Sequence, residues 1–380
     1  MTVKPINVLF ISASLDFGGA EKHVVSLING LDTAQFRCSL AYLKPTAPLL
    51  PQMDAAQVGD RVFCCHVERK LDRRAVALLV RHIRAEQIDI VVCANAYPLL
   101  YGWLARLGCG KAVRLVEVFH TTELNTLKEQ LQMILYRPLF WCSDALVFVC
   151  HSQHRYWRAR ALRARHVAVI HNGIDAAWFR DQWSAADKLA LRRRYGLRDE
   201  TYLIGLCAYM RPEKAHGDLL NAVAALRAAG LDVQCLLIGD GPQRLPIEAQ
   251  IGALGLLPEV GITGFCADVR ALVATCDVMA IVSHRVETFS LAALEAMALG
   301  KPMVMSAIGG AAEQVAHGES GLLYERGKIP ALVACLRALS GAPARDRMGV
   351  HGRATVLRHF TLGSMTAAYA ALFQRLVRHG

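Results

Sequence analysis

The strongest constraint on the fold is a rhythm that occurs twice. Apolar runs of strand length recur through the first half of the chain: INVLFISAS, CSLAYL, IDIVVCA, AVRLVEVFH, DALVFVC and HVAVIHN. Helical-period segments separate most of them. After Asn172 the series restarts with TYLIGLCAY, DVQCLLIGDG, EVGITGF, DVMAIVS and KPMVMSA. Near-continuous apolar strands alternating with helices imply parallel sheets covered on both faces. Two such series in 380 residues imply two doubly wound α/β domains. The connector is HNGIDAAWFRDQWSAADKLALRRRYGLRDE, which opens on the Asn172-Gly173 turn signal. It places domains at 1–178 and 179–380. The last stretch carries Met365, Tyr369, Leu372 and Leu376 at helical spacing and reads as a closing amphipathic helix over about 361–378.

Composition narrows the class. At 54% hydrophobic and 20% charged, the chain can bury a large core and is not a disordered protein. No window approaches the roughly 18 uninterrupted apolar residues of a spanning helix. The opening MTVKPINVLFISAS reads as a first strand and carries no signal peptide. Twelve scattered cysteines, with no C-x-x-C, fit buried thiols in a reducing cytosol. The net charge of +11 is uneven: residues 1–180 hold 22 Lys/Arg against 14 Asp/Glu, a net +8. A basic first half suits a phosphate-bearing ligand, an anionic membrane surface, or simply a solvated face. No nucleic-acid-binding motif accompanies it.

The segment RVETFSLAALEAMALGKP, residues 285–302, carries chemistry. It follows the strand DVMAIV, so Ser283–Thr288 is a strand-to-helix loop, with Thr288 or Ser290 as cap and Phe289–Leu299 as helix. At about 100° per residue, Glu295 falls inside the apolar stripe formed by Leu291, Leu294, Ala298 and Leu299. None of its neighbours one turn away can pair with it. A buried carboxylate left alone costs several kcal/mol, so a group from elsewhere must satisfy it: a ligand hydroxyl or a distant Arg. Glu287 precedes the helix, Glu295 lies about two turns in, and a helix N-terminus that favours phosphate lies between them. That order suits a long ligand with hydroxyls at both ends and phosphates in the middle, as in a nucleotide-sugar. Loops at the carboxyl ends of parallel strands are also where ligands bind in such sheets.

ETFSLAALE resembles the E-x7-E motif of the GT-B retaining glycosyltransferases, family 4 in particular. DFGGAEKHV, HNGID, RPEKAHGDLL, LIGDGP, TGF and GGAAEQVAHGESGLL resemble further elements of that family, in family order. The resemblance implies a GT-B fold, with two Rossmann-like domains facing across a cleft and a final helix returning to the first. It implies that Glu287 binds donor-sugar hydroxyls and Glu295 the ribose. Lys214 and Arg211 would hold the diphosphate, with main-chain N–H groups of Thr288, Phe289, Ser290 and Leu291. Gly18 and Gly19 would let a phosphate or acceptor approach the backbone, His120 would sit near the sugar, and Phe265 near the base. One departure stands out: the usual phosphate-binding arginine position holds Tyr209, and either Arg211 or Tyr209 faces the phosphate.

The expected activity is transfer of a sugar from a UDP- or GDP-sugar to a lipid-linked or saccharide acceptor, with retention. The setting implied is bacterial polysaccharide or glycolipid synthesis, in the cytoplasm at the inner membrane face. No D-x-D is present to hold a metal on the diphosphate, so neither metal nor cofactor is expected. An oxidoreductase would need G-x-G-x-x-G after the first strand, and SLDFGGAEKH fails that spacing. A non-catalytic nucleotide-sugar binder remains the other alternative.

Overall fold

The computed structural model describes residues 4–110, 113–124 and 126–378. They form two compact units, one running to Asn172 and including the helix Leu362–Arg378, the other Gly173–Thr361.

The first unit is built on strands β1 (Ile6–Ser12), β2 (Phe36–Tyr42), β3 (Val62–Cys64), β4 (Ile90–Ala94), β5 (Arg114–Phe119), β6 (Ala145–Phe148) and β7 (His166–Val169). They are parallel, in the order β3-β2-β1-β4-β5-β6-β7. Helices cover both faces, so β4 and β6 are buried at every residue. On one face Leu9 and Ile11 meet Val91 and Cys93, then Leu115, Phe119, Leu146 and Phe148. The last helix belongs to this unit because Met365, Tyr369 and Phe373 are buried in it. A Cβ at Gly30 would lie 2.7 Å from Thr366, so glycine lets the two helices approach.

The second unit repeats the plan with β8 (Tyr202–Cys207), β9 (Val233–Ile238), β10 (Val260–Ile262), β11 (Val278–Ile281), β12 (Met303–Ser306) and β13 (Gly321–Tyr324). The parallel order is β10-β9-β8-β11-β12-β13. Ile204, Leu206, Cys235, Leu237, Val278, Ala280 and Val304 anchor its core. In each sheet the chain reverses its direction of growth beside the first strand, between β1 and β4 and between β8 and β11. Loops at the carboxyl ends of those strands are the ligand-binding position of a doubly wound sheet.

Two sequence-based expectations need correction. The boundary falls after Asn172 rather than near 178, because the Ile174 N–H donates to Phe360 O at 3.0 Å and Ile174 bridges Thr361. The helix after β11 spans Leu291–Ala298 rather than starting at Phe289, because Ser290 Oγ accepts from the Ala293 N–H and caps it. Two edge strands, β3 and β13, lie outside the apolar runs that mark the others. All twelve cysteines are free thiols.

Candidate functional site

In the second unit, the loops after β8 and β11 converge at the switch point. The β8 loop carries Tyr209 and Arg211, both exposed, with the Arg211 guanidinium carbon 4.8 Å from the Tyr209 ring centroid. Met210 between them is fully buried; its N–H donates to Asp240 O at 2.8 Å, and its carbonyl accepts from Gln243. This close seating depends on the glycines of LIGDGP: a Cβ at Gly241 would lie 2.7 Å from Met210 O, and one at Gly239 2.3 Å from Ala208 O. The loop then turns through Pro212–Lys214 and through Ala215, which is left-handed at φ 51°, into the helix His216–Ala228.

Lys214 Nζ lies 2.6 Å from Glu287 Oε2, and Ser283 Oγ donates to the same oxygen at 3.0 Å. The pair is largely enclosed, with 25% of the Lys214 side chain and 11% of that of Glu287 exposed. The expected sugar ligand and the expected phosphate ligand are thus in contact, and each neutralises the other. Two further links join their loops: the His284 N–H donates to Glu213 O at 2.9 Å, and His284 Nε2 lies 2.5 Å from Asp218 Oδ2. Val286, exposed and β-branched, takes φ +56° immediately before Glu287. Such a residue adopts this conformation only where its surroundings impose it.

Those surroundings come from GGAAEQ after β12, part of the family-like stretch GGAAEQVAHGESGLL, whose role at the site the sequence alone does not show. A Cβ at Gly309, φ +56°, would lie 1.8 Å from Glu287 O, and the Gly310 N–H donates to Thr288 O at 2.7 Å. Gln314 clamps the cap residue from both sides: its Oε1 accepts from the Ser290 N–H at 3.0 Å and its Nε2 donates to Ser290 O at 2.8 Å. The Ser290 N–H, expected to face phosphate, is therefore engaged within the protein. Thr288 and Phe289 are buried, Leu291 is half-buried, and Glu295 is 7% exposed on the inner face of its helix. Phe265 is exposed after β10.

In the first unit, Gly18 precedes the helix Gly19–Gly30 with φ −125°, a conformation open to any residue. A Cβ there would lie 2.1 Å from Glu21 Oε2, so a resident carboxylate already lies at this helix N-terminus. A Cβ at Gly19 would meet open space. His120 follows β5, and its N–H donates to Asn95 Oδ1 at 2.9 Å. Asn95 itself holds φ +76° at the end of β4. Burial, and secondarily the charge of His23, hold the His120 pKa well below the ordinary histidine value. The ring is a neutral hydrogen-bonding group at neutral pH.

Sequence models of two glycosyltransferase groups match the chain: Glycosyltransferase Family 4 over residues 17–178 and Glycosyl transferases group 1 over residues 187–355. The chain belongs to this glycosyltransferase family. It is similar to N-acetyl-alpha-D-glucosaminyl L-malate synthase of Bacillus anthracis, 25% identical over 77% of this chain and 76% of that one. It is 32% identical to the D-inositol 3-phosphate glycosyltransferase of Stackebrandtia nassauensis, over 55% of this chain and 49% of the relative. The crystal structure of HepE from Anabaena in complex with UDP-glucose superposes with a TM-score of 0.84, over 97% of this chain and all of that one, at 23% identity. The fold of this family member is GT-B.

Proposed function

We propose that the chain is a retaining hexosyltransferase that moves a sugar from a UDP-sugar to a hydroxyl of a lipid-linked or saccharide acceptor. The observation that carries this reading is the junction at the second switch point, where Lys214 and Glu287 meet beside a capped helix that buries Glu295. A donor has anionic oxygens next to sugar hydroxyls, and that pair offers a cation next to an acceptor carboxylate. Lys214 and Arg211 stabilise the charge that develops on the leaving diphosphate, with the dipole of the helix Leu291–Ala298 behind them. Glu287 and His120 orient the sugar, and Glu295 takes the ribose. UDP is preferred to GDP because HepE, similar in fold, is known with UDP-glucose. The leaving phosphate helps to remove the acceptor proton on the same face, which gives retention. These protein cations do the work of a metal on the diphosphate, so turnover persists in chelator.

The helix Leu127–Trp141 supports an acceptor at a membrane. Leu127, Leu131, Ile134 and Leu135 form an exposed stripe, with Leu127 at 78% and Leu135 at 79%, while Met133, Leu139 and Phe140 face the core. Lys128 is exposed on the same helix, and the Arg163 guanidinium carbon lies 5.7 Å from the Trp141 ring centroid. Apolar residues bordered by cations suit an acidic lipid surface. Among the described residues, no helix is long and apolar enough to cross a membrane.

Thermal shift and hydrolysis with UDP-glucose, UDP-galactose, UDP-N-acetylglucosamine, GDP-mannose and NADH test the reading. Stabilisation and slow hydrolysis by a UDP-sugar in EDTA are expected. Stabilisation by NADH alone, or turnover only when magnesium is restored, contradicts it. Stabilisation without hydrolysis or transfer leaves a binding protein.

A further inference from the structure

Behind His120 lies a cluster that the donor chemistry leaves unused. His23, on the helix Gly19–Gly30, is buried, and its ring meets the His120 ring edge-on at 4.9 Å between centroids and 67° between planes. Its Nε2 lies 3.2 Å from the hydroxyl of Tyr369, on the last helix, Leu362–Arg378. Tyr369 is also fully buried, and the two rings stand 5.6 Å apart in a T arrangement. Burial holds His23 down to about 4, with the Asn172 side chain opposing it more weakly, and burial pushes the Tyr369 phenol far up. Both partners are neutral at neutral pH and share one hydrogen bond. A leucine at position 23 would fill this space without burying polar nitrogens, so the imidazole is an expensive choice for packing alone.

Resting on the reading of His120 given above, we infer that His23 is a positioning residue: its ring seats that of His120, and the hydrogen bond to Tyr369, with the Asn172 side chain, holds the His23 ring in place. The main chain of His120 is tied separately, through Asn95 Oδ1. The ring is thus set by two residues far away in the sequence, one near each end. A helix at the end of the chain thereby bears on the side chain proposed above to orient the sugar. Tyr369→Phe removes one oxygen and leaves the packing.

The test is a double-mutant cycle with whichever UDP-sugar of the panel the wild type turns over. Tyr369→Phe is expected to lower kcat about tenfold with KM changed less than about twofold; in a His120→Ala background the same substitution changes kcat less than about twofold. Equal losses in the two backgrounds, or a loss confined to KM, overturn the assignment. A second pair guards against misfolding: His23→Gln can keep a hydrogen bond to Tyr369 and retains more activity than His23→Leu. Equal activity of those two variants also overturns it. A wild type that turns over no nucleotide-sugar defeats the hexosyltransferase reading and this assignment together; wild-type turnover with an additive cycle defeats this assignment alone.

Discussion

Glu117 shows at the residue scale what a strand reading hides. It sits in the middle of AVRLVEVFH, between Cys93 and Leu146 on the neighbouring strands, and is fully buried. Among the described residues neither carboxylate oxygen has a hydrogen-bond partner. Burial raises its pKa well above the ordinary glutamate value. The folded chain therefore keeps a proton that the unfolded chain has lost, and stability falls as pH rises above about 4.5. Up to the folded pKa the slope from this one group is about 1.4 kcal/mol per pH unit. Glu117→Gln removes the group's titration. Urea unfolding at pH 5 and pH 7.5 should show the variant gaining on wild type at the higher pH; a constant difference would contradict the assignment. The apolar stripe around Glu295 is legible from helical spacing, because angles follow from the sequence alone. The contact of Glu287 with Lys214 is not, because it joins residues 73 positions apart.

At the scale of elements, the long buried strands are legible because each is a continuous apolar run. β3 and β13 are not, because VFC and GLLY are short segments set among polar and charged residues, in RVFCCHVERK and GESGLLYERG. The strand-to-helix loops are legible in position but not in support. GGAAEQ stands out as a family motif, yet its physical task, holding the Glu287 loop by carbonyl contact and the Gln314 clamp, appears only in three dimensions. Gly309→Ala must displace the Glu287 carbonyl as well as hold a left-handed backbone. Gly318→Ala, φ +85° with open space around it, meets only the backbone penalty, roughly 1–2 kcal/mol. Calorimetric melting and UDP titration should find Gly309→Ala the less stable and the weaker binder, with Gly318→Ala binding as wild type does. Equal binding by both would show that the clamp does not shape the site.

On the scale of the whole molecule, the two-fold repeat of strands and helices announces two doubly wound units before any motif is considered. The return of the last helix to the first unit follows from the family resemblance alone, since helical spacing identifies a face but not what it covers. The charge surplus of the first half and the leucine stripe of Leu127–Trp141 make a joint prediction. Wild type should sediment with vesicles containing phosphatidylglycerol at low salt, and Leu131→Asn with Leu135→Asn should abolish most of that binding while leaving the melting temperature unchanged. Retained binding by the double variant would assign attachment to charge alone. The most direct measurement of the donor site is calorimetric titration of UDP into wild type and Glu295→Ala. Wild type is predicted to bind, with the variant weaker by at least about tenfold, the loss of one good hydrogen-bonded charge partner. Equal affinity in the two proteins, or no UDP binding by wild type, would contradict a nucleotide-sugar site built around that buried acid.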